Sequence, residues 1–127
     1  HGRQPVKIFF DGGCRPNPGM MEIAVVAGGR TQVRRNLGHG TRVDAESLAL
    51  IEALRVARSL MPDDILLLGD AADIIDLASG KTRCRGAGLA HLHAFRALVP
   101  EAGRLRIRHV KRTQNLAGIA LARLHPR

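Results

Sequence analysis

The chain has 127 residues, 45% of them apolar and 24% charged, a length and mixture that fit one globular domain and exclude a disordered or fibrous protein. Lys and Arg total 20 against 11 Asp and Glu, a formal net charge of +9 with the six histidines neutral. No apolar run approaches the roughly 20 residues of a membrane-spanning helix, which excludes a helical membrane protein.

His1-Gly2 carries no initiator Met and is given no role; residues 1–4 are expected to be a disordered or non-native extension of a single domain spanning 1–127. Val6 to Phe10 reads as a buried strand, ending at Asp11 and a Gly- and Pro-rich turn through Gly19. Ile23 to Ala27 and Gln32 to Leu37 are two further strands, with Gly28-Gly29 between them as a hairpin signal. Asp44-Ala45-Glu46 opens a long helix with Leu48, Ile51, Ala53, Leu54, Ala57 and Leu60 at helical spacing, stopped by Pro62-Asp63-Asp64. Ile65 to Leu68 is a continuous apolar run, the pattern of a strand covered on both faces, and it ends at Gly69-Asp70. A short helix through Ala78, an amphipathic helix from Leu89 to Val99, an alternating strand from Leu105 to Val110 and a helix from Asn115 to Leu124 follow.

The order β-β-β-α-β-α-α-β-α predicts an α/β domain. Its first three strands should form an antiparallel meander, and the later, helix-linked strands should run parallel to the first. The product is a mixed five-stranded sheet flanked by helices. Cys14 and Cys84 match no metal-ligand spacing. With no signal peptide in view, both are expected to stay reduced in a cytoplasmic, monomeric protein.

Charge is unevenly spread. Residues 1–80 hold 9 basic and 10 acidic side chains, whereas residues 81–127 hold 11 basic ones and a single acid, Glu101. That asymmetry points to a surface for a polyanion, with a phosphate backbone as the usual candidate; an arginine-rich compositional bias is the bland alternative. The chain lacks Trp and Tyr and has only Phe9, Phe10 and Phe95, so stacking of bases on aromatic platforms is nearly excluded. Recognition of a duplex through its backbone is what remains.

Asp11, Glu46 and Asp70 each stand near the end of an element. Asp11 and Asp70 leave the carboxyl ends of strands expected to be parallel neighbours, where α/β sheets place ligand sites. A helix packed across those strands brings Glu46 beside them. Three converging carboxylates repel one another unless a cation intervenes, and hard oxygen ligands suit Mg²⁺ or Mn²⁺. Each residue alone also has a bland use. Asp11 is a turn residue, Glu46 a partner of the helix dipole, and Asp70 the cap on the first turn of the following helix. Their joint placement on a basic chain, with Asp70 ending what is expected to be the central strand, favours the metal site.

Asp11-Gly12-Gly13 followed by Asn17-Pro18-Gly19 resembles the first motif of type 1 ribonuclease H. Asp44-Ala45-Glu46 with Ala53-Leu54 is similar to the second, Gly69-Asp70-Ala71 with Ile74-Ile75 to the third, and Asn115 to Ala122 to the fourth. The resemblance runs from about Val6 to Leu124 with the element order intact. It implies a ribonuclease H-like fold and a two-Mg²⁺ endonuclease that cuts the RNA strand of RNA–DNA hybrids, Mn²⁺ being a possible substitute. Asp11, Glu46 and Asp70 carry over as metal ligands and catalytic residues, with Asp11 expected to bridge both ions. Gly12, Gly13 and Asn17 become candidates for contacts to the RNA 2′-hydroxyls, the group that distinguishes RNA from DNA.

Two departures stand out. The fourth motif should supply an Asp where this chain has Gly118, and no Asp or Glu follows Glu101. The histidine that many members carry just before that motif is also absent from Lys111 to Gln114, and His109 falls on the preceding strand. A site one carboxylate short is expected to hold its second ion more weakly. The alternatives are therefore a non-catalytic hybrid or duplex binder, and a metal-dependent nuclease of the same fold with another substrate. Lys81, Arg83 and Arg85, in a Gly-rich connection, and Lys111 and Arg112, before the last helix, are expected to grip phosphates. His91 and His93, two apart on one helix, face different ways and form no shared metal site.

Overall fold

The computed structural model describes residues 4–60, 62–80, 88–100 and 103–125; Lys81, Arg83, Arg85 and Cys84 lie outside the described residues. Among the described residues, six strands and four α-helices follow in chain order. They are β1 (Val6–Arg15), β2 (Gly19–Ala27), β3 (Arg30–Arg34), β4 (His39–Gly40), α1 (Arg42–Leu60), β5 (Asp64–Gly69), α2 (Ala72–Ala78), α3 (Gly88–Leu98), β6 (Arg104–His109) and α4 (Leu116–Arg123). The sheet order is β3-β2-β1-β5-β6, with the two-residue β4 pairing to β2 outside this path. β1, β2 and β3 form the expected antiparallel meander, and β5 and β6 run parallel to β1 and β5. Its five strands and their directions are those expected; β4 is an addition too short to show an alternating pattern. β1, rather than β5, is the central strand.

Local boundaries differ from the sequence reading in ways that matter for the site. The Gly-rich segment after Phe10 is not a turn: β1 continues to Arg15, because Gly12, Gly13 and Cys14 find ladder partners in Ile23, Glu22 and Met21. Cross-strand pairing overrides the weak strand preference of glycine. The turn itself is confined to Pro16, Asn17 and Pro18. α1 begins two residues before Asp44. Thr41 Oγ1 accepts from the Asp44 N–H at 3.1 Å while Asp44 Oδ2 accepts from the Thr41 N–H at 3.0 Å, a capping box that closes the helix start.

Alternation along the strands makes two cores. Ile8 and Phe10, Ile23 and Val25, and Ile65 and Leu67 face one side, where they meet α1 residues Ala49, Leu50, Ala53, Leu54 and Ala57, Ile74 and Ile75 of α2 and Phe95 of α3. Ala24 and Val26 face the other side, where Ala117 and Leu121 of α4 cover them with Phe9 alongside. Of the predicted helix positions, Leu60 is the exception, 54% exposed at the C-terminal end of α1. Among the described residues no helix is long and apolar enough to cross a membrane.

Candidate metal centre and cleft

Asp11 lies within β1 on the face that α4 covers, Glu46 on α1, and Asp70 one residue beyond β5. Each offers a carboxylate oxygen within 4.8 Å of the other two. The bland uses fall away one by one. Asp11 is in a strand rather than a turn, and the first-turn acid of α1 is Asp44 rather than Glu46. Asp70 does not cap α2, whose N-cap is Ala71 with no side-chain cap.

Close backbone approach brings α1 to β1. A Cβ on Gly12 would lie 2.2 Å from the Ala45 carbonyl oxygen, so only glycine allows this contact. Gly12 N–H then donates to Glu46 Oε1 at 3.2 Å, fixing the carboxyl of a residue that is only 4% exposed. Gly13, in contrast, has open space where a Cβ would stand. Asn17 Oδ1 accepts from the Arg42 N–H at 3.0 Å, tying the turn to the first residue of α1.

Asn115 is the residue the sequence reading did not place in the site. It is fully buried and caps α4, its Oδ1 accepting from Ala117 N–H at 3.1 Å. Its Nδ2 donates to the Phe10 carbonyl and to Asp70 Oδ2, both at 3.1 Å. One amide therefore starts α4, holds it to the central strand and orients Asp70. An Asn directly before an apolar helix signals a cap; the two other bonds span 105 and 45 residues and leave no local signal.

Gly118 sits on the first turn of α4. A Cβ there would stand 3.3 Å from Asp11 Oδ2 and 3.5 Å from Asp70 Oδ2, so a side chain at this position enters the carboxylate cluster. The motif position that lacks its acid is thus the right place in space.

Electrostatics follow from burial. Burial, then a hydrogen bond with Asp11 and the charges of Asp11 and Asp70, pushes the Glu46 carboxyl up to about 9. Burial also raises Asp11, against the lowering effects of the Glu46 hydrogen bond, the Gly12 N–H and the nearby Arg112 guanidinium. A buried Glu46 carboxyl and a half-buried Asp11 carboxyl, both pushed up by desolvation, are a donor set that a cation would relieve. Their hard oxygens and that of Asp70, all within 4.8 Å of one another, suit a hard divalent cation.

The cluster opens into a cleft of about 430 Å³ that also presents Gly13, Asn17, Arg15, Arg42 and Arg112. Arg112 is where the sequence reading expects a phosphate contact; Lys111, its exposed neighbour, does not line the cleft. At the far end Glu22 pairs with His125 and Arg35, a contact between β2 and the end of α4 that the sequence reading did not anticipate. His91 bonds Asp44 Oδ1 at 3.0 Å while His93 is exposed, so the two do face different ways. His109 is exposed at the end of β6.

A sequence profile of the reverse transcriptase-like family matches residues 11–125. No curated protein matches the chain by sequence. Among solved structures, RNase H1 from the halophilic archaeon Halobacterium salinarum superposes with a TM-score of 0.83 at 30% identity, over 93% of this chain and 94% of that one. The N-terminal RNase H domain of a Mycobacterium tuberculosis protein gives 0.81 at 24% identity, over 98% and 100%. LC11-RNase H1, solved in complex with an RNA/DNA hybrid, gives 0.75 at 26%, over 87% and 88%. The chain belongs to the reverse transcriptase-like family and is a type 1 ribonuclease H-like protein.

Proposed function

We propose that this chain is a divalent-metal-dependent endonuclease that hydrolyses the RNA strand of RNA–DNA hybrids. The observation that carries the proposal is the convergence of Asp11, Glu46 and Asp70 within 4.8 Å, beside a helix position whose side chain would join them. The likeness to LC11-RNase H1, itself solved with a hybrid, supports the substrate class.

In this reading Asp11, Glu46 and Asp70 would hold the ions. When bound there, two Mg²⁺ ions, or Mn²⁺ in their place, would supply Lewis-acid activation of water and stabilisation of the leaving oxygen in a phosphoryl displacement. The chain's own residues do the rest. Asn115 keeps Asp70 aimed at the cluster, and the Gly12 N–H does the same for Glu46. Arg112, on the cleft wall, attracts the scissile phosphate; Lys111 beside it, and Lys81, Arg83 and Arg85, add to the hold on the duplex backbone. The open backbone at Gly13, with Gly12 and Asn17, meets the RNA strand where its 2′-hydroxyls approach.

Cleavage of a labelled hybrid in Mg²⁺ or Mn²⁺ tests this against Asp70→Asn. The expected result is metal-dependent RNA products from the wild type, reduced on the order of a hundredfold or more in the variant. Products no greater than the variant's overturn the enzyme reading. Gly118 favours a second reading, in which the fold binds a hybrid or duplex without turnover. Tight hybrid binding with no metal-dependent cleavage is the outcome that supports it.

A further inference from the structure

The two faces of the sheet are covered unequally. Lys7 and Phe9 on β1, Leu66 and Leu68 on β5, and Arg104, Arg106 and Arg108 on β6 alternate with residues of the main core, so they face the side where α4 lies. α4 packs over β1, β2 and β3. Among the described residues no helix covers β5 and β6 on that side. Even so, Leu66 and Leu68 are buried. The register sets Arg106 beside Leu66 and Arg108 beside Leu68, so long arginine stems are the cover available to these leucines while Arg108 itself stays exposed.

Strand geometry spaces the three arginines about 6.6 Å apart, so the row is about 13 Å long. Arg106 is ion-paired with Asp64 at 3.2 Å. Lys7, Arg104 and Arg108 have no carboxylate partner among the described residues. From Arg108 the chain passes His109 and Val110, whose N–H donates to the Gly69 carbonyl at 2.8 Å, and reaches Arg112 on the cleft wall. A basic strip thus leads away from the acidic cluster along the uncovered half of the sheet.

We infer that this strip is a second docking surface, on which Lys7, Arg104 and Arg108 hold the phosphate backbone of a nucleic acid where it runs beyond the cleft. The inference rests on the nucleic-acid reading given above. Four like charges against the single carboxylate of Asp64, which Arg106 takes up, favour a regularly charged polyanion. Guanidinium forks match phosphate oxygens. The apolar residues of this half-face are buried beneath the charges, which leaves no hydrophobic anchor of the kind a protein partner uses.

Binding of hybrids in EDTA, followed by fluorescence anisotropy over a range of salt, tests it. The variant Lys7→Gln/Arg104→Gln/Arg108→Gln is compared with Arg30→Gln/Arg55→Gln/Arg96→Gln, which removes the same charge from exposed positions elsewhere. The probes are hybrids of about 8 and about 24 base pairs, at 3.4 Å of axis per pair. For the long hybrid, the first variant should lose about tenfold or more in affinity and flatten the log–log salt slope by about 2 to 3, near 0.9 per phosphate contact. Its affinity for the short hybrid, and its metal-dependent cleavage of that hybrid, should match the wild type. Equal losses from both variants, or a slope that the first leaves unchanged, overturn the inference. Failure of the nuclease reading shows separately, as absent cleavage of the short hybrid by the wild type, and does not alter the slope comparison.

Discussion

Gly118 stands where a side chain would enter the acidic cluster, its Cβ direction 3.3 Å from Asp11 Oδ2. Gly118→Asp should therefore act in two opposite ways. Without metal, a fourth carboxyl beside Asp11 and Asp70 adds like-charge repulsion and lowers the melting temperature. With Mg²⁺ or Mn²⁺, the thermal shift on adding metal should exceed that of the wild type, and hybrid cleavage should rise on the order of tenfold. A variant that folds but shows neither gain means that position 118 does not face the ions. Asn115→Ala tests the other unanticipated residue. Losing the cap costs about 1 kcal/mol, and the buried Phe10 carbonyl left without its donor adds about 1–3 kcal/mol. Urea unfolding should reveal the sum, and cleavage should fall further than the stability loss explains, because Asp70 loses its orienting amide.

The contact between β1 and α1 carries both the site and a pH dependence. Gly12→Ala drives a Cβ onto the Ala45 carbonyl at 2.2 Å, and the strain of overpacking, about 1–3 kcal/mol or more, should appear as a lowered urea midpoint. Gly13→Ala has open space and should leave that midpoint close to the wild type. The Glu46 carboxyl titrates at about 9 when folded, against 4.5 ordinarily, so the folded chain holds more protons than the unfolded one across that window. Metal-free stability should thus decline as pH rises from about 5 to about 9. Glu46→Gln, which keeps an acceptor for Gly12 N–H, should flatten the decline. Asp44 runs the other way. The Thr41 N–H and His91 hold its carboxyl low, so its contribution is present above the ordinary range and lost in acid. Because a divalent ion must displace the proton that Glu46 holds below about 9, metal affinity should climb with pH over the same window.

At the scale of the whole molecule, the apolar runs and helical spacings in the sequence carry the strand order and the flanking helices, since burial on one or both faces dictates them. The cluster of Asp11, Glu46 and Asp70 is legible because the apolar runs before Asp11 and Asp70, and the start of the long helix at Glu46, each lead into an acid. The rest depends on partners far along the chain. β1 extends through glycines only because β2 pairs with it, Asn115 reaches residues 45 and 105 positions away, and Glu22 meets His125 across 103 residues. The charge asymmetry is legible as a sum, whereas the uncovered half of the sheet that displays part of it emerges only from where α4 packs. Calorimetric titration of Mn²⁺ at neutral pH, into protein saturated with a hybrid whose RNA strand resists hydrolysis, addresses the carboxylate trio most directly. Saturable binding by the wild type that weakens at least about tenfold in Asp70→Asn is the result this account predicts; equal binding by the two proteins contradicts it.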